Sequence, residues 1–186
     1  MKNTILDKTK LVNSVFSQVY KKYDLMNDIM SFGIHRLWKE KFIDWMNPYS
    51  GSKLIDVASG TGDIAKLFSK KNNHSSEIIC VEPNIGMLEE GKANLKKLKN
   101  IKWIKASSEK LPFKNNIFDF YTISFGIRNV SDINKTLCEA YRVLKPGGRF
   151  MCLEFSKINN EVLNFFYKQY SKTIPLIGKY IVGNSQ

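Results

Sequence analysis

The residues best suited to chemistry stand in one short run, Asp56-Val57-Ala58-Ser59-Gly60-Thr61-Gly62-Asp63. It follows the apolar pair Leu54-Ile55 and leads into Ile64-Ala65, so a strand gives way to a glycine turn that opens a helix. Glycines in such a turn let the backbone approach a ligand closely. The spacing Gly60-x-Gly62-x-x-Ala65 also fits a dinucleotide fingerprint, so the glycines alone leave two ligand classes open. The acids weigh between them. Asp63 falls in the first helical turn, where a pyrophosphate would have to lie and would be repelled. Asp56 adds a second negative charge beside the loop. A cationic, phosphate-free ligand suits this turn, and S-adenosylmethionine, with its sulfonium and ammonium, is of that kind. Asp63 also fits as an ordinary helix cap.

Other polar residues recur where strands should end. Glu82 closes an apolar run, and a carboxylate there can accept hydrogen bonds from ribose hydroxyls. Ser107 and Ser108 follow the next strand, where an adenine is expected, and Ser124 closes the one after. With Asp56, Gly60, Thr61 and Gly62 they make up the expected cofactor site. No metal site is spelled out: Cys80, Cys138 and Cys152 stand far apart, with only His35 and His74 besides. Cys80 and Cys152 lie in apolar runs and read as reduced core residues, which points to a reducing, cytoplasmic setting.

These residues require a chain that alternates strand and helix. Strands are expected at Lys53 to Ala58, Glu77 to Glu82, Ile101 to Lys105, Phe118 to Ser124 and Arg149 to Phe155. Helices are expected at Gly62 to Lys71, Ile85 to Leu98 and Ile133 to Val143, with a turn at Lys145-Pro146-Gly147-Gly148. The alternation predicts an α/β fold with a doubly wound, mostly parallel sheet. Ahead of it, Trp38 to Met46 has helical spacing. The domain is read as one, with residues 1–47 a helical substrate lid, 48–157 the cofactor-binding core and 158–186 a C-terminal helical segment. Arg149 to Phe155 would be a sheet edge unless something pairs with it.

Composition narrows the partners. The chain of 186 residues is 43% hydrophobic and carries a net charge of +12. Its lysines are scattered over what read as solvated faces, which argues against nucleic acid and leaves an anionic membrane surface open. Nothing approaches the roughly 18 apolar residues of a membrane span, and Met1 to Lys10 is too polar for a secretory signal. Only four of the 29 basic residues are arginine, namely Arg36, Arg128, Arg142 and Arg149. Each is a candidate for a geometric role that lysine fills poorly.

Four segments resemble signatures of the ubiquinone/menaquinone biosynthesis C-methyltransferase family. They are Tyr23-Asp24-Leu25-Met26-Asn27-Asp28-Ile29-Met30-Ser31-Phe32-Gly33-Ile34-His35-Arg36-Leu37-Trp38, the run Thr122-Ile123-Ser124-Phe125-Gly126-Ile127-Arg128-Asn129-Val130, then Tyr141-Arg142-Val143-Leu144-Lys145-Pro146-Gly147-Gly148-Arg149, and the short Leu111-Pro112-Phe113. The first two are the more specific. The resemblance implies a Rossmann-like class I methyltransferase fold and S-adenosyl-L-methionine as methyl donor. It implies transfer to a ring carbon of a polyprenylated benzoquinol, a demethylmenaquinol or both. Ser59, Glu82 and Ser107 depart from the family's usual glycine, aspartate and aspartate or asparagine. The family pattern runs on past Gln186, so the last strands of the sheet are expected to be missing.

For the reaction itself, the resemblance favours Asp63, Arg128 and Asn129. Arg128 would stabilise a phenolate or a hydroxide-like water, Asn129 would orient that water and Asp63 would accept the proton. His35 is an alternative base. Met26, Met30, Phe32, Trp38 and Phe42 would cover a prenyl tail or form core. Peripheral membrane contact at the inner face, and a homodimer or quinone-biosynthesis complex, are expected partners. An RNA methyltransferase, an NAD oxidoreductase and an inactive cofactor-binding remnant are the competing readings.

Overall fold

The computed structural model describes Ser31 and residues 33–156. Met26, Met30 and Phe32 of the expected prenyl cover, and the segment 158–186, lie outside the described residues.

The first helix among the described residues, α1 (Ile34–Met46), buries His35, Lys39, Phe42, Ile43 and Met46. That spacing of three and four places them on one face. Left-handed Gly33 and Asn47 bound it, and the Asn47 N–H returns to the Ile43 and Asp44 carbonyls. Then come β1 (Lys53–Val57), α2 (Asp63–Lys71), β2 (Glu77–Val81), α3 (Ile85–Asn94), β3 (Ile101–Ile104) and β4 (Phe118–Ser124). A 3-10 turn (Ile127–Asn129), α4 (Ile133–Val143) and β5 (Leu144–Leu153) complete the order. Caps fix two starts: Asn84 Oδ1 accepts from Met87 N and Asp132 Oδ1 from Lys135 N. Helix α3 ends short of the expected Leu98. Lys92, Lys96, Lys97 and Lys99 crowd like charges there.

The strands form one parallel sheet in the order β3-β2-β1-β4-β5. The chain winds outward from β1 through β2 to β3, then restarts beside β1 with β4. Covered on both sides, the central strands read as continuous apolar runs. Leu54, Ile78 and Phe120 point to one face, where Phe42, Met46, Ile64 and Phe68 pack. Ile55, Ile79 and Tyr121 point to the other, against Ala140 and Val143. Phe42 is therefore core, 4% exposed, while Trp38 stays 38% exposed and meets Phe155 edge-on.

The expected turn at Lys145 to Gly148 is absorbed into β5. Phe118 pairs with Leu144 and Phe120 with Arg149, so the Pro-Gly-Gly stretch is an irregularity inside a paired strand. Cys152, expected in the core, is exposed. Among the described residues β5 is an outer strand with a neighbour on one side only.

Two of the four arginines show geometric roles of the kind their scarcity suggested. Arg142 donates to the Leu111 and Phe113 carbonyls, to Asn115 and to Glu139, holding the loop before β4. Arg149 Nη1 donates to the Met46 carbonyl at 3.0 Å, fastening the end of α1 to β5.

Candidate active site

Ligands of open α/β sheets bind beyond the carboxyl ends of the strands where the winding reverses. Here that point lies between β1 and β4. A crevice of about 30 Å³ opens there, walled by Asp56, the 58–61 turn, Asp63 and Ile64 on the β1 side and by Ser124 and Phe125 on the β4 side. Lys39 closes it from α1.

The turn is tightly held. Gly62 has φ 90, a conformation natural to glycine, and a Cβ there would lie 2.7 Å from Leu95 Cδ1 and 2.9 Å from the Trp103 ring. Ser59 N donates to the Val81 carbonyl and Gly62 N to the Ser59 carbonyl. Gly60 N donates to Glu82 Oε2 at 2.9 Å, and Asn84 N donates to Glu82 Oε1 at 2.9 Å. Burial raises the Glu82 pKa, an effect these two amides oppose. Ala58 (φ 52) and Phe125 (φ 53) both adopt left-handed backbone at the facing ends of β1 and β4. Side chains with a Cβ adopt it at a cost, and such strain gathers at functional sites.

Asp56 is wholly buried. Burial pushes its pKa up to about 7; Thr122 and Lys39 pull it down, and Asp63 and Glu82 push it further up. Thr122 Oγ1 donates to Asp56 Oδ1 at 2.7 Å, while Oδ2 accepts from no described residue. The Ser124 hydroxyl is likewise buried with no partner among the described residues. Lys39 Nζ stands 2.6 Å from Asp63 Oδ2. The crevice thus sets two acidic side chains, Asp56 and Asp63, beside one lysine.

A sequence model described as the ubiE/COQ5 methyltransferase family matches residues 3–186. The chain belongs to the ubiE/COQ5 methyltransferase family. The ubiquinone/menaquinone biosynthesis C-methyltransferase UbiE of Rickettsia bellii (strain OSU 85-389) is 55% identical over 187 residues, which cover 97% of this chain and 75% of that protein. The mitochondrial 2-methoxy-6-polyprenyl-1,4-benzoquinol methylase of Dictyostelium discoideum is 46% identical over 210 residues, covering 96% of this chain and 67% of that one. Among solved structures, the YcgJ protein of Bacillus subtilis is 27% identical with a TM-score of 0.60, covering 73% of this chain and 56% of that one. A SAM-dependent methyltransferase of Aquifex aeolicus, 24% identical, has the same fold with a TM-score of 0.60 and covers 66% of each chain.

Family and fold are those of S-adenosylmethionine-dependent methyltransferases, as the sequence led one to expect. The residues of this ubiE/COQ5 family member fit that donor. Its two positive centres meet an acid-rich wall, and the unpartnered Asp56 and Ser124 oxygens offer hydrogen-bond capacity. The dinucleotide and RNA readings are set aside on the family match.

Other expected site residues of this ubiE/COQ5 family member are distributed unevenly. Thr61 lies in the crevice wall, 8% exposed. Ser108 turns inward: its hydroxyl is 2.9 Å from Thr136 Oγ1 and donates to Glu109. Ser107 is exposed and pairs with Lys110 in an isolated bridge. Arg128 and Asn129 occupy the 3-10 turn just past β4. Arg128 is ion-paired to Glu154 and lies over the Phe155 ring, 5.3 Å from its centroid. Asp63, expected to accept a proton, is held by Lys39, which favours a binding role over proton transfer. His35 is 2% exposed on the inner face of α1 and does not line the crevice.

The residue sequence reasoning missed is Lys39. Its signal was its place four positions after His35 in the pattern His35, Lys39, Phe42, Ile43, Met46, a lysine on an otherwise inward face.

Proposed function

We propose that this chain transfers a methyl group from S-adenosylmethionine to a ring carbon of a polyprenylated quinol, either a benzoquinol or a demethylmenaquinol. The observation that carries the donor half is the acid-rich crevice at the point where the sheet reverses its winding. The acceptor half is carried by the printed names of the relatives in Rickettsia bellii and Dictyostelium discoideum.

When bound, the donor supplies an electrophilic methyl group on a sulfonium. The protein supplies position and charge. The glycine turn, Thr61, Asp56, Glu82 and Ser124 hold the donor, with Ser107 and Ser108 beside its base. Alignment of the two reactants contributes much of the rate. Arg128 and Asn129 belong to the 3-10 turn that follows β4, the strand whose end supplies Ser124 and Phe125 to the crevice. The Arg128 guanidinium favours loss of the ring hydroxyl's proton to solvent by stabilising the phenolate that remains, and Asn129 orients a water or the hydroxyl itself. Trp38, partly exposed on α1, offers apolar surface to the prenyl tail.

A substrate with a prenyl tail partitions into lipid, so the reading includes peripheral membrane contact. Among the described residues no helix is long and apolar enough to cross a membrane. A homodimer or a quinone-biosynthesis complex rests on the family resemblance alone.

The test is transfer of labelled methyl from S-adenosylmethionine to reduced polyprenyl benzoquinol and, separately, to demethylmenaquinol, with the full chain. Label is expected in the organic phase with at least one acceptor. Donor binding without label in either acceptor would overturn the acceptor assignment.

A further inference from the structure

Glu154 is the first residue beyond β5. Ser124 pairs with Leu153, and Phe125 N donates to the Leu153 carbonyl at 2.7 Å. Glu154 therefore leaves the sheet at the same edge as Ser124 and Phe125, which wall the crevice on the β4 side. Its two carboxylate oxygens are used unequally. Oε1 accepts from Arg128 Nη1 and, at 2.9 Å, from Phe155 N. Oε2 is buried with no hydrogen-bond partner among the described residues. A desolvated carboxylate oxygen without a donor is costly, and a ligand that brings an O–H or N–H to it relieves that cost.

The neighbours indicate which ligand. Phe155 stacks on Phe125 with centroids 4.9 Å apart and meets Trp38 edge-on at 6.0 Å. Arg128 lies over the same Phe155 ring. A cation, aromatic faces and an unpartnered carboxylate oxygen thus gather beside the crevice wall. Arg128 and Phe155 are 43% and 40% exposed, and exposed side chains change rotamer readily, which lets a flat ring enter. Glu154 does not itself line the crevice, so it faces the acceptor and not the methyl donor. Resting on the acceptor reading above, we propose that Glu154 Oε2 binds a ring hydroxyl of the quinol and receives its proton.

The two hydroxyls of a quinol stand opposite each other, so a ring carbon open to methylation lies next to one of them. That O–H bond breaks, the proton passes to Oε2 and on to solvent, and the electron pair stays on an oxygen that Arg128 steadies. The adjacent carbon then forms a bond to the methyl group, whose bond to sulfur breaks with its pair left on sulfur. The carbon's own hydrogen leaves as a proton to water and the oxygen regains one, which restores the aromatic ring. One proton is released for each methyl transferred.

The test is methyl transfer by the full chain under reducing, anaerobic conditions at saturating S-adenosylmethionine, from pH 7 to pH 9. Among the described residues the charged and titratable groups facing Glu154 are Arg128 and the Cys152 thiol, which burial and the Glu154 charge hold above its usual range. Glu154→Gln should lower kcat about a hundredfold at pH 7, with donor affinity by calorimetry within about twofold of wild type. A phenolic hydroxyl ionises unaided near pH 10. The deficit should therefore shrink by about tenfold per pH unit as the free quinol ionises. Glu154→Asp, which keeps the carboxylate, should retain more of the rate. In an Arg128→Lys background Glu154→Gln should cost a further tenfold or so. No added loss there would show that Glu154 only holds Arg128 in place, and the inference falls. It falls equally if kcat is unchanged, if the deficit is the same at every pH, or if Asp serves no better than Gln. In each of these cases the wild type still transfers label, so the acceptor reading stands. A wild type that binds donor but methylates neither quinol sinks both.

Discussion

The Glu82 carboxylate bridges two backbone amides, taking Gly60 N on one oxygen and Asn84 N on the other, each at 2.9 Å. One side chain at the end of β2 therefore fixes both the glycine turn and the start of α3. Glu82→Gln replaces one acceptor by an NH₂ group that must face an N–H donor. At 5% exposure solvent gives little relief. The expected loss is about 1–3 kcal/mol, read as a lower urea midpoint, together with weaker donor affinity. An unchanged midpoint would show that the turn stands without this brace.

Asp56 makes stability depend on pH in an unusual direction for an aspartate. Its ordinary pKa is 3.8, and burial raises it to about 7 in the folded chain. Between these values the native state keeps a proton that the unfolded state has released. The stabilisation is complete below 3.8 and is lost as pH rises through 7. Relative to Asp56→Asn, the wild type should lose up to about 4 kcal/mol between pH 4 and pH 8. Urea melts of both proteins across this range check it; parallel curves would contradict it. A cationic donor favours the ionised carboxylate, so donor affinity should rise over the same window, and calorimetry at pH 6 and pH 8 reads that separately.

Gly62→Ala places a methyl group 2.7 Å from Leu95 and against Trp103 in a backbone at φ 90. Trp103 is a ring in β3 and Leu95 caps α3, so the turn must yield. Strain and overpacking together should cost at least about 2 kcal/mol. A melting temperature within a degree of wild type would mean the turn has another conformation within reach.

Arg128→Lys keeps the charge and removes the planar group that lies over Phe155 and pairs with Glu154. Turnover should drop by at least about tenfold with donor affinity unchanged. Methyl-transfer rates at saturating donor decide this, and an unaltered kcat would take Arg128 out of the reaction.

The glycine turn, the alternation of strands and helices and the acid at the end of β2 were all legible in the sequence, because each is a local pattern with a local cause. Other features depend on where distant segments meet. Lys39 passed as one solvated lysine among many until the turn of α1 aimed it at Asp63. Ser108 reads like Ser107 in the chain, yet the packing of α4 brings Thr136 to its hydroxyl and turns it inward. The Lys145 to Gly148 segment has the composition of a free turn, and pairing with β4 on both sides of it draws it into a strand. Cys152 has the neighbours of a core residue and the position of an outer strand. The arginines showed the reverse case, since their rarity flagged a role whose partners, such as the Met46 carbonyl, only the fold could supply.

The ligand crevice has walls from two halves of the sheet that are made at different times. β1 supplies one wall early in the chain, and β4 supplies the other only after β2 and β3 have been laid down on β1's opposite side. A chain folded only through β3 thus has the glycine turn but no binding site. Uptake of the donor reports assembly of the whole central sheet, and by mass action the donor should protect every strand of it against unfolding, including those it never touches.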